Sequence, residues 1–211
     1  MRIIPICPKS FASNTYLLVS ENEAFVIDPS VSIDAISKAL NECGATLSGV
    51  LLTHGHFDHI VSIDTLRERY NVPVYIHESD ACMLTDGHLN GFYTFFQRDC
   101  IHKPANNFFK DGEIISIGNE SITVIHTPGH SMGSCCFIFN EDGKGQAIIT
   151  GDTLFATSVG RWDLYGGDHS VLSRSIKKLS ALNDMSPIYP GHGESSTLGE
   201  SLTVVECFFE F

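Results

Sequence analysis

The chain has 211 residues and 43% hydrophobic content, and its 13 Lys and Arg against 25 Asp and Glu give a formal net charge of −12. This length supports one large domain with a sizeable core, so we predict a single domain over residues 1–211. The acidic balance argues against a nucleic-acid-binding protein, because a phosphate backbone needs a clustered cationic surface. No apolar run reaches the length of a signal-peptide core or a membrane span, so we expect a soluble cytoplasmic protein that does not bind membranes.

The first half of the chain predicts alternating strands and helices. Strands are predicted over residues 2–6, 14–20, 23–28, 48–53 and 72–76. A helix over residues 32–43 is favoured by apolar residues at helical spacing, with Ser32 as N-cap and Gly44 as the C-terminal stop. A second helix is predicted to begin near Asp58 and to end before Val72, and residues 78–84 predict a short third one.

Residues 86–107 form the least patterned stretch, and we predict that they are an insertion. They contain four aromatic residues, Phe92, Tyr93, Phe95 and Phe96. Two interpretations stay open. The stretch is either a mobile aromatic lid over a substrate pocket, or a helix that packs its aromatic side chains onto the core.

The second half repeats the pattern of strands followed by polar loops. Strands are predicted over residues 113–117, 121–125, 135–139 and 147–150, and a helix over residues 169–182 with Asp168 as N-cap. Two runs of strands and helices, each about half of the chain, predict the α/β class: a four-layer α/β/β/α sandwich with two sheets face to face and helices outside.

The seven cysteines include no Cys-x-x-Cys pair. In a chain of this size, which does not need disulfides for stability, this usage indicates reduced thiols. Cys135 and Cys136 lie in an apolar run, so we predict that they pack in the core as small hydrophobic residues.

One stretch is unusually rich in metal-ligating side chains and directly follows the apolar run Val50-Leu51-Leu52. It reads Thr53-His54-Gly55-His56-Phe57-Asp58-His59. Further candidate ligands stand after later strand patterns, at His130, Asp152 and His192. Histidine and carboxylate ligands without thiolate suit Zn²⁺, Fe²⁺ or Mn²⁺, so these residues predict a catalytic rather than a structural metal site.

These motifs, in this order and over nearly the whole chain, resemble the metallo-β-lactamase superfamily. The resemblance rests on residues 53–59, 127–130, 151–152 and 190–193. The run Gly151-Asp152-Thr153-Leu154-Phe155, together with residues 160–164 and 166–168, is similar to the short, single-domain glyoxalase-II-like branch, the hydroxyacylglutathione hydrolases. The resemblance implies the α/β/β/α fold and a two-metal site at the edge of the sandwich.

The resemblance also implies a ligand set. The first metal would be held by His54, His56 and His130, the second by Asp58, His59 and His192, and Asp152 would bridge both. The implied function is a dinuclear metallohydrolase that cleaves a thioester such as an acylglutathione by attack of a metal-bridging hydroxide. Metals about 3.5–4 Å apart can activate such a water and stabilise the oxyanion. Asp58 is the candidate catalytic residue, because it can orient the hydroxide or accept its proton.

Alternative activities within the same superfamily stay open. A mononuclear-iron persulfide dioxygenase would use His54, His130 and Asp152 alone, and would be an oxidoreductase. Lactonase and β-lactamase activities are further possibilities, because a fold does not select its substrate. A non-catalytic binding module is the alternative from a different class, although every ligand position is filled.

Two further features concern specificity and assembly. Arg161 is a candidate contact for an anionic substrate, or else forms an ion pair with Asp163 that fixes the loop. Trp162 stands where relatives carry a small polar residue. The apolar tail over residues 204–211 either packs on the core or forms a contact in a homo-oligomer.

Overall fold

The computed structural model describes residues 1–6, 12–206 and 209, and the described strands form two six-stranded sheets. The first sheet contains, in order, β1 (Arg2–Ile6), β2 (Thr15–Ser20), β3 (Glu23–Ile27), β4 (Thr46–Leu51), β5 (Val74–His77) and β6 (Asn107–Phe109). The second contains β7 (Ile114–Ile117), β8 (Glu120–His126), β9 (Cys135–Glu141), β10 (Gly145–Gly151), β11 (Pro187–Pro190) and β12 (Ser196–Thr197), in order from β7 to β12 across the sheet.

Five α-helices cover the outer faces of the sheets or lie at the edge of the sandwich. They are α1 (Ile33–Cys43), α2 (Ile63–Tyr70), α3 (Phe92–Phe96), α4 (His169–Leu179) and α5 (Leu198–Val205). Short 3₁₀ segments occupy Phe57–His59 and Glu78–Thr85. None of the described helices is both long and apolar enough to cross a membrane.

Three apolar clusters of buried side chains hold the layers together. The cluster between the sheets includes Leu18, Ile27 and Phe137, while a second cluster packs α1 and α2 on the first sheet. A third cluster packs α4 and α5 on the second sheet. The predicted four-layer α/β/β/α sandwich is therefore confirmed, and so is the burial of Cys135 and Cys136. Cys7 and Cys207 lie outside the described residues.

Helix α1 follows the sequence prediction at both ends. The Ser32 hydroxyl accepts a hydrogen bond from the Ala35 amide, and Gly44 ends the helix in the left-handed conformation at φ +70°. Ile36 and Leu40 are its buried face. Helix α4 is likewise capped by Asp168, but it ends at Leu179, three residues before the predicted end.

The predicted helix from Asp58 to Tyr70 is wrong in its first turn. The α-helix begins at Ile63, and Asp58 and His59 lie in a separate 3₁₀ turn. Ile60, at φ −116° and ψ 9°, interrupts the helical path between the two segments. In this turn the Asp58 and His59 side chains lie in one group of candidate ligands with His192.

Residues 86–107 do contain a helix, α3, but its aromatic side chains are not packed into the core. Tyr93, Phe95 and Phe96 are 39%, 50% and 49% exposed. The interpretation that these rings pack onto the core is therefore wrong, whereas the role of the segment as a lid stays a prediction. The tail beyond Glu206 is described only at Phe209, which is buried, so most of that predicted contact lies outside the described residues.

The directions of the strands bring the C-terminal ends of β4, β8, β10 and β11 to one edge of the sandwich. Strands β3, β4, β5 and β6 are parallel, and so are β10 and β11. Strand β8 runs in the same direction as β10, because both are antiparallel to β9 between them. At this edge the Cys135 amide donates to the Thr53 carbonyl at 2.8 Å, which joins the two sheets beside the polar loops.

Candidate metal centre

All seven predicted metal ligands meet at this edge. The loop after β4 supplies four of them, and the loops after β8, β10 and β11 supply one each. Their ligating atoms form three overlapping groups: His54, His56 and His130; His54, His59 and Asp152; and Asp58, His59 and His192. Within each group the atoms lie within 4.8 Å of one another. The fold therefore places residues that are up to 138 positions apart in one cluster.

The first group consists of three buried imidazoles whose nitrogens converge. His130 Nε2 lies 2.8 Å from His56 Nδ1 and 3.2 Å from His54 Nε2. Nitrogens bound to one tetrahedral zinc at 2.0–2.1 Å are separated by roughly 3.4 Å. The observed separations are therefore close to those of three ligands around a single ion.

The hydrogen bonds made by Nδ1 of His54 and of His130 show that the other ring nitrogen, Nε2, carries the lone pair. His130 Nδ1 lies 2.7 Å from the Arg161 carbonyl, which can only accept, so Nδ1 carries the proton. The Thr53 hydroxyl donates its only hydrogen to Asp28 and therefore accepts from His54 Nδ1 at 3.0 Å. In the neutral rings both Nε2 atoms are thus acceptors. Two lone pairs 3.2 Å apart repel unless a cation lies between them.

The second group, which consists of Asp58, His59 and His192, lies close to two carboxylates. His192 Nε2 lies 3.2 Å from Asp58 Oδ2 and 3.5 Å from Asp152 Oδ2. Asp152 also reaches the other histidines, with Oδ1 at 3.4 Å from His59 Nε2 and Oδ2 at 3.6 Å from His130 Nε2. Asp152 therefore lies between the first group and the set Asp58, His59 and His192, which is the position predicted for a bridging ligand.

The pKa shifts of these residues follow from burial and from the two carboxylates. Burial and the neighbouring histidines hold the pKa of His54 well below its ordinary value, and burial lowers that of His56 to about 3. Burial opposes the charged form of His59 too, but Asp152, Asp28 and Asp58 raise its pKa well above the ordinary value. The first group is therefore neutral and ready to donate lone pairs, whereas the acidic residues lie around the second.

Unpartnered buried atoms complete the test of whether this cluster fits metal ions. His56 Nε2 is buried without a hydrogen-bond partner among the described residues, and the buried atoms His59 Nε2 and Asp152 Oδ1 face each other at 3.4 Å without a well-formed hydrogen bond. Buried polar atoms without partners are rare because each one is destabilising. Five imidazoles and two carboxylates, with no thiolate, form a donor set suited to Zn²⁺, Fe²⁺ or Mn²⁺. The residues present thus fit two divalent ions.

Asp28 is a residue of this centre that is not among the predicted site residues. Its carboxylate accepts from the Thr53 amide at 2.8 Å, from the Thr53 hydroxyl at 2.6 Å and from His59 Nδ1 at 2.9 Å. It therefore fixes the protonated nitrogen of His59 directly and that of His54 through Thr53. Such outer contacts orient metal-binding histidines. Its position at the end of β3, parallel to β4, is the signal that could have identified it.

Asp80 is a second buried carboxylate that was not predicted, and it joins the two ligand loops. It accepts from the Gly55 amide at 3.1 Å, from the Ser131 hydroxyl at 2.6 Å and from the Gly133 amide at 2.6 Å. Gly55 lies between His54 and His56, while Ser131 follows His130. Asp80 thereby holds the loop after β4 against the loop after β8.

We expect replacement of Asp80 by alanine to destabilise the fold. The change leaves two buried amides and one hydroxyl without their acceptor, and each unsatisfied group costs about 1–3 kcal/mol. The free energy of unfolding in urea should fall by about 3–5 kcal/mol. Asp184→Ala, at an exposed acidic position, is the matched control and should change it by less than ~1 kcal/mol. Equal stability of the two variants would contradict the role of Asp80.

Arg161 lies at the mouth of the cavity above the ligands, but its charge is already paired. Its guanidinium binds both oxygens of Asp163, at 2.6 and 2.7 Å, and lies 5.9 Å from the centre of the Phe95 ring. Its backbone carbonyl holds His130, as described above. The loop-fixing alternative for Arg161 is thus the one that the contacts favour, while contact with a substrate stays a prediction.

Trp162 packs edge-on against His169 and is not among the residues that line the cavity.

The cavity above the ligands has a volume of about 280 Å³. Its floor is formed by the side chains of His56, Asp58, His130, Asp152 and His192, and its walls are mainly apolar. The wall residues are Phe57, Phe95, Phe155, Gly160, Arg161 and Leu164. A side chain at Gly160 would collide with the Asp152 carbonyl, so this close approach requires glycine. The cluster is therefore open to a small molecule from one side.

Comparisons with known proteins agree with this geometry. The family model of the metallo-beta-lactamase superfamily matches residues 9–192. The probable metallo-hydrolase YqgX of Bacillus subtilis is 36% identical over 94% of this chain and 93% of its own. The crystal structure of the B3 metallo-beta-lactamase BLEG-1 is 34% identical and superimposes with a TM-score of 0.87, covering 95% of this chain and 96% of its own.

A third similar protein bears on the metal. The crystal structure of TTHA1623 in a di-iron-bound form is 30% identical, with a TM-score of 0.80, and covers 93% of this chain and 96% of its own. That form contains two irons, the number of ions that the residues of the present cluster fit. On the family match, the sequence identities and the shared fold, the chain belongs to the metallo-β-lactamase superfamily.

Proposed function

We propose that this protein is a metal-dependent hydrolase that uses two divalent ions to cleave a thioester. Metal-dependent hydrolysis is the coarse function that the comparisons support. The observation that carries the proposal is the convergence of seven candidate ligands, with Asp152 facing both His130 and His192, beneath an open cavity of about 280 Å³. Zinc is the ion we propose first, with iron or manganese as alternatives suited to the same donors.

The ligands divide between the two ions as the geometry suggests. His54, His56 and His130 would hold one ion, and Asp58, His59 and His192 the other, with Asp152 shared. When bound, such a pair of ions supplies Lewis-acid polarisation of a carbonyl oxygen and lowers the pKa of water. The histidines of the first group stay neutral for this role because burial lowers their pKa values.

Asp58 is the residue that we propose as proton acceptor. Burial raises the pKa of Asp58, but the effect of His59 and His192 in the opposite direction is larger. The pKa of Asp58 is therefore below its ordinary value, and the side chain is a carboxylate. Its side chain is 22% exposed, toward the cavity, whereas Asp152 is 10% exposed. Asp58 Oδ2 lies 3.2 Å from His192 Nε2 and is the oxygen suited to hold the ion. A water approaching the substrate carbonyl from this side can pass its proton to the other oxygen, Asp58 Oδ1. The thiolate then leaves without needing a proton, because thiols are acidic compared with alcohols.

The identity of the thiol carrier is a finer question. Besides histidines, Arg161 is the only cationic side chain among the described residues that line the cavity, and it is paired with Asp163. The lining thus offers little to the carboxylates of glutathione. We therefore propose a thioester substrate in general, and keep acylglutathione, and with it the glyoxalase-II-like branch, as a prediction.

The test combines metal content with a substrate panel. Protein purified without added ions should contain two metal ions per chain and should hydrolyse small acyl thioesters or S-D-lactoylglutathione, with kcat/KM above ~10⁴ M⁻¹ s⁻¹ for the preferred one. One iron per chain with oxygen uptake on glutathione persulfide would overturn the proposal in favour of a dioxygenase. Metal-loaded protein inert toward thioesters, lactones and persulfides would indicate a binding module.

A second candidate, β-lactam hydrolysis, is favoured by one observation. BLEG-1, described as a B3 metallo-beta-lactamase, covers nearly the whole chain with a TM-score of 0.87. The same ligand set would activate water toward a β-lactam carbonyl, and the substrate panel should therefore include a chromogenic cephalosporin. A higher kcat/KM for the cephalosporin than for every thioester would replace the thioester proposal by this one.

A further inference from the structure

An apolar groove lies beside the cavity of the metal centre and is not used by the chemistry described so far. Its volume is about 570 Å³, within the ~300–1,000 Å³ range of small-molecule sites. It is lined by Ala12, Phe57, Asp58, Val61, Phe92, Phe95 and Phe96. Asp58 is the only charged residue in this described lining. Contiguous exposed apolar surfaces often mark ligand-binding grooves or sites of protein interaction.

The groove is continuous with the metal centre. Phe57, Asp58 and Phe95 line both the groove and the cavity above the ligands. Phe57 and Asp58 are themselves part of the ligand loop, between His56 and His59. A molecule whose carbonyl lies above the ligands can therefore extend an arm into the groove past Phe57 and Phe95.

The aromatic walls are held in place although they are exposed. Three rings surround Phe57, with centroid distances of 5.5 Å to Phe92, 5.7 Å to Phe95 and 5.7 Å to Phe96. The Phe57 amide donates to the Asn90 carbonyl at 3.1 Å. Asn90 is fully buried, and its side-chain amide donates to two backbone carbonyls on either side of α3, those of Met83 and Cys100. The groove is thus preformed in the described structure.

The chemistry of the groove suits one arm of a thioester better than the other. Biological thiol carriers are polar and charged, and phenylalanine rings offer them no hydrogen-bond donors. The acyl arm of a thioester can be a plain hydrocarbon, which gains about 0.8 kcal/mol per buried methylene.

We propose that the groove binds the hydrocarbon acyl chain of the substrate, so that the preferred substrates are medium-chain acyl thioesters. This inference rests on the proposed thioester hydrolysis and adds its substrate class. The scissile carbonyl lies above the metal ligands, and the chain passes Phe57 and Phe95 and ends between Val61 and Phe96. Hydrolysis breaks the carbon–sulfur bond, adds the oxygen of water to the acyl carbon, and releases a fatty acid and a thiol.

The first experiment measures kcat/KM of the metal-loaded protein for unbranched thioesters of one small neutral thiol, from acetyl to decanoyl. We expect a rise of about fourfold per methylene, the fold-change that corresponds to ~0.8 kcal/mol, and about 250-fold over the four methylenes between butanoyl and octanoyl. Equal hydrolysis of all chain lengths would overturn the groove proposal and leave thioester hydrolysis intact.

Two groove variants and one control locate the effect. Phe96→Ala removes one wall, and Val61→Glu places a charge in the groove; both side chains are about half exposed, so the fold should tolerate either change. Each should lower kcat/KM for octanoyl by about tenfold and leave that for acetyl within about twofold. Ile101→Ala, an exposed apolar position in the same 86–107 segment, is the matched control and should leave both values unchanged.

A binding measurement separates the groove from the reaction. Ketone analogues, in which a methylene replaces the thioester sulfur, are titrated by calorimetry into the metal-loaded protein. The octanoyl analogue should bind at least tenfold more tightly than the acetyl analogue, and Phe96→Ala should remove most of this difference. If no thioester is hydrolysed but this difference is found, the proposed reaction fails and the groove stands. If the two analogues bind equally, the groove proposal is wrong whatever the activity.

Discussion

Replacement of His54 by alanine is expected to abolish activity and to remove at least one metal ion per chain. His54 belongs to two of the three ligand groups, and its Nε2 lies 3.2 Å from His130 Nε2. Loss of a contact that only orients a ligand typically lowers metal affinity or activity 10–100-fold, so loss of the ligand itself should lower kcat/KM by more than ~1,000-fold. Asp152→Ala should act on both ions, because Asp152 faces both groups.

Metal content by mass spectrometry and kcat/KM on the preferred thioester are the two measurements. His88→Ala is the control, because His88 is exposed and belongs to none of the ligand groups. This variant should keep two ions per chain and full activity. A metal-free but fully active His54→Ala protein would refute the assignment of the centre.

Replacement of Asp28 by asparagine is expected to lower metal affinity without removing any ligand. The amide group of asparagine puts a donor where one carboxylate oxygen accepts from Thr53 or His59. The orientation of His59, and through Thr53 that of His54, is then no longer fixed. We expect a loss of about 10–100-fold in metal affinity, with a parallel loss of activity at limiting metal.

Competition with a chromogenic chelator measures this affinity directly. Asp34→Asn is the matched control: its side chain is 87% exposed and pairs only with surface Arg69. Activity of Asp28→Asn should recover when excess metal is added, whereas that of His54→Ala should not. Unchanged affinity in Asp28→Asn would show that the three contacts of Asp28 serve the fold alone.

The sequence was sufficient to predict most strands and the cluster of candidate metal ligands, for a physical reason. Ligand spacing within residues 53–59 is local, and each remaining ligand directly follows a strand pattern. Once the strands share a direction, their ends meet at one edge without further information. The first strand, Arg2–Ile6, and the caps of α1 and α4 are likewise local signals, and the structure agrees with them.

The features that were missed depend on contacts between distant segments. Asp28 and Asp80 act through loops that are 25 and 51 residues away, and no local pattern distinguishes them from surface carboxylates. The short edge strands β6 and β12 exist only because a neighbouring strand pairs with them. Helix α5 is different, because its capping box, Thr197 with Glu200, is a local signal for the start of a helix.

The separation between the ligand loops and the 86–107 segment has a consequence for how this protein can change over evolutionary time. All seven candidate ligands follow core strands, whereas three residues that line the apolar groove, Phe92, Phe95 and Phe96, belong to a segment that contains none of the candidates. We therefore expect substitutions at Phe92 or Phe96 to alter which molecules the proposed groove accepts without removing a candidate metal ligand. Divergence of substrate range within one reaction mechanism therefore requires few changes, all of them at half-buried or exposed positions.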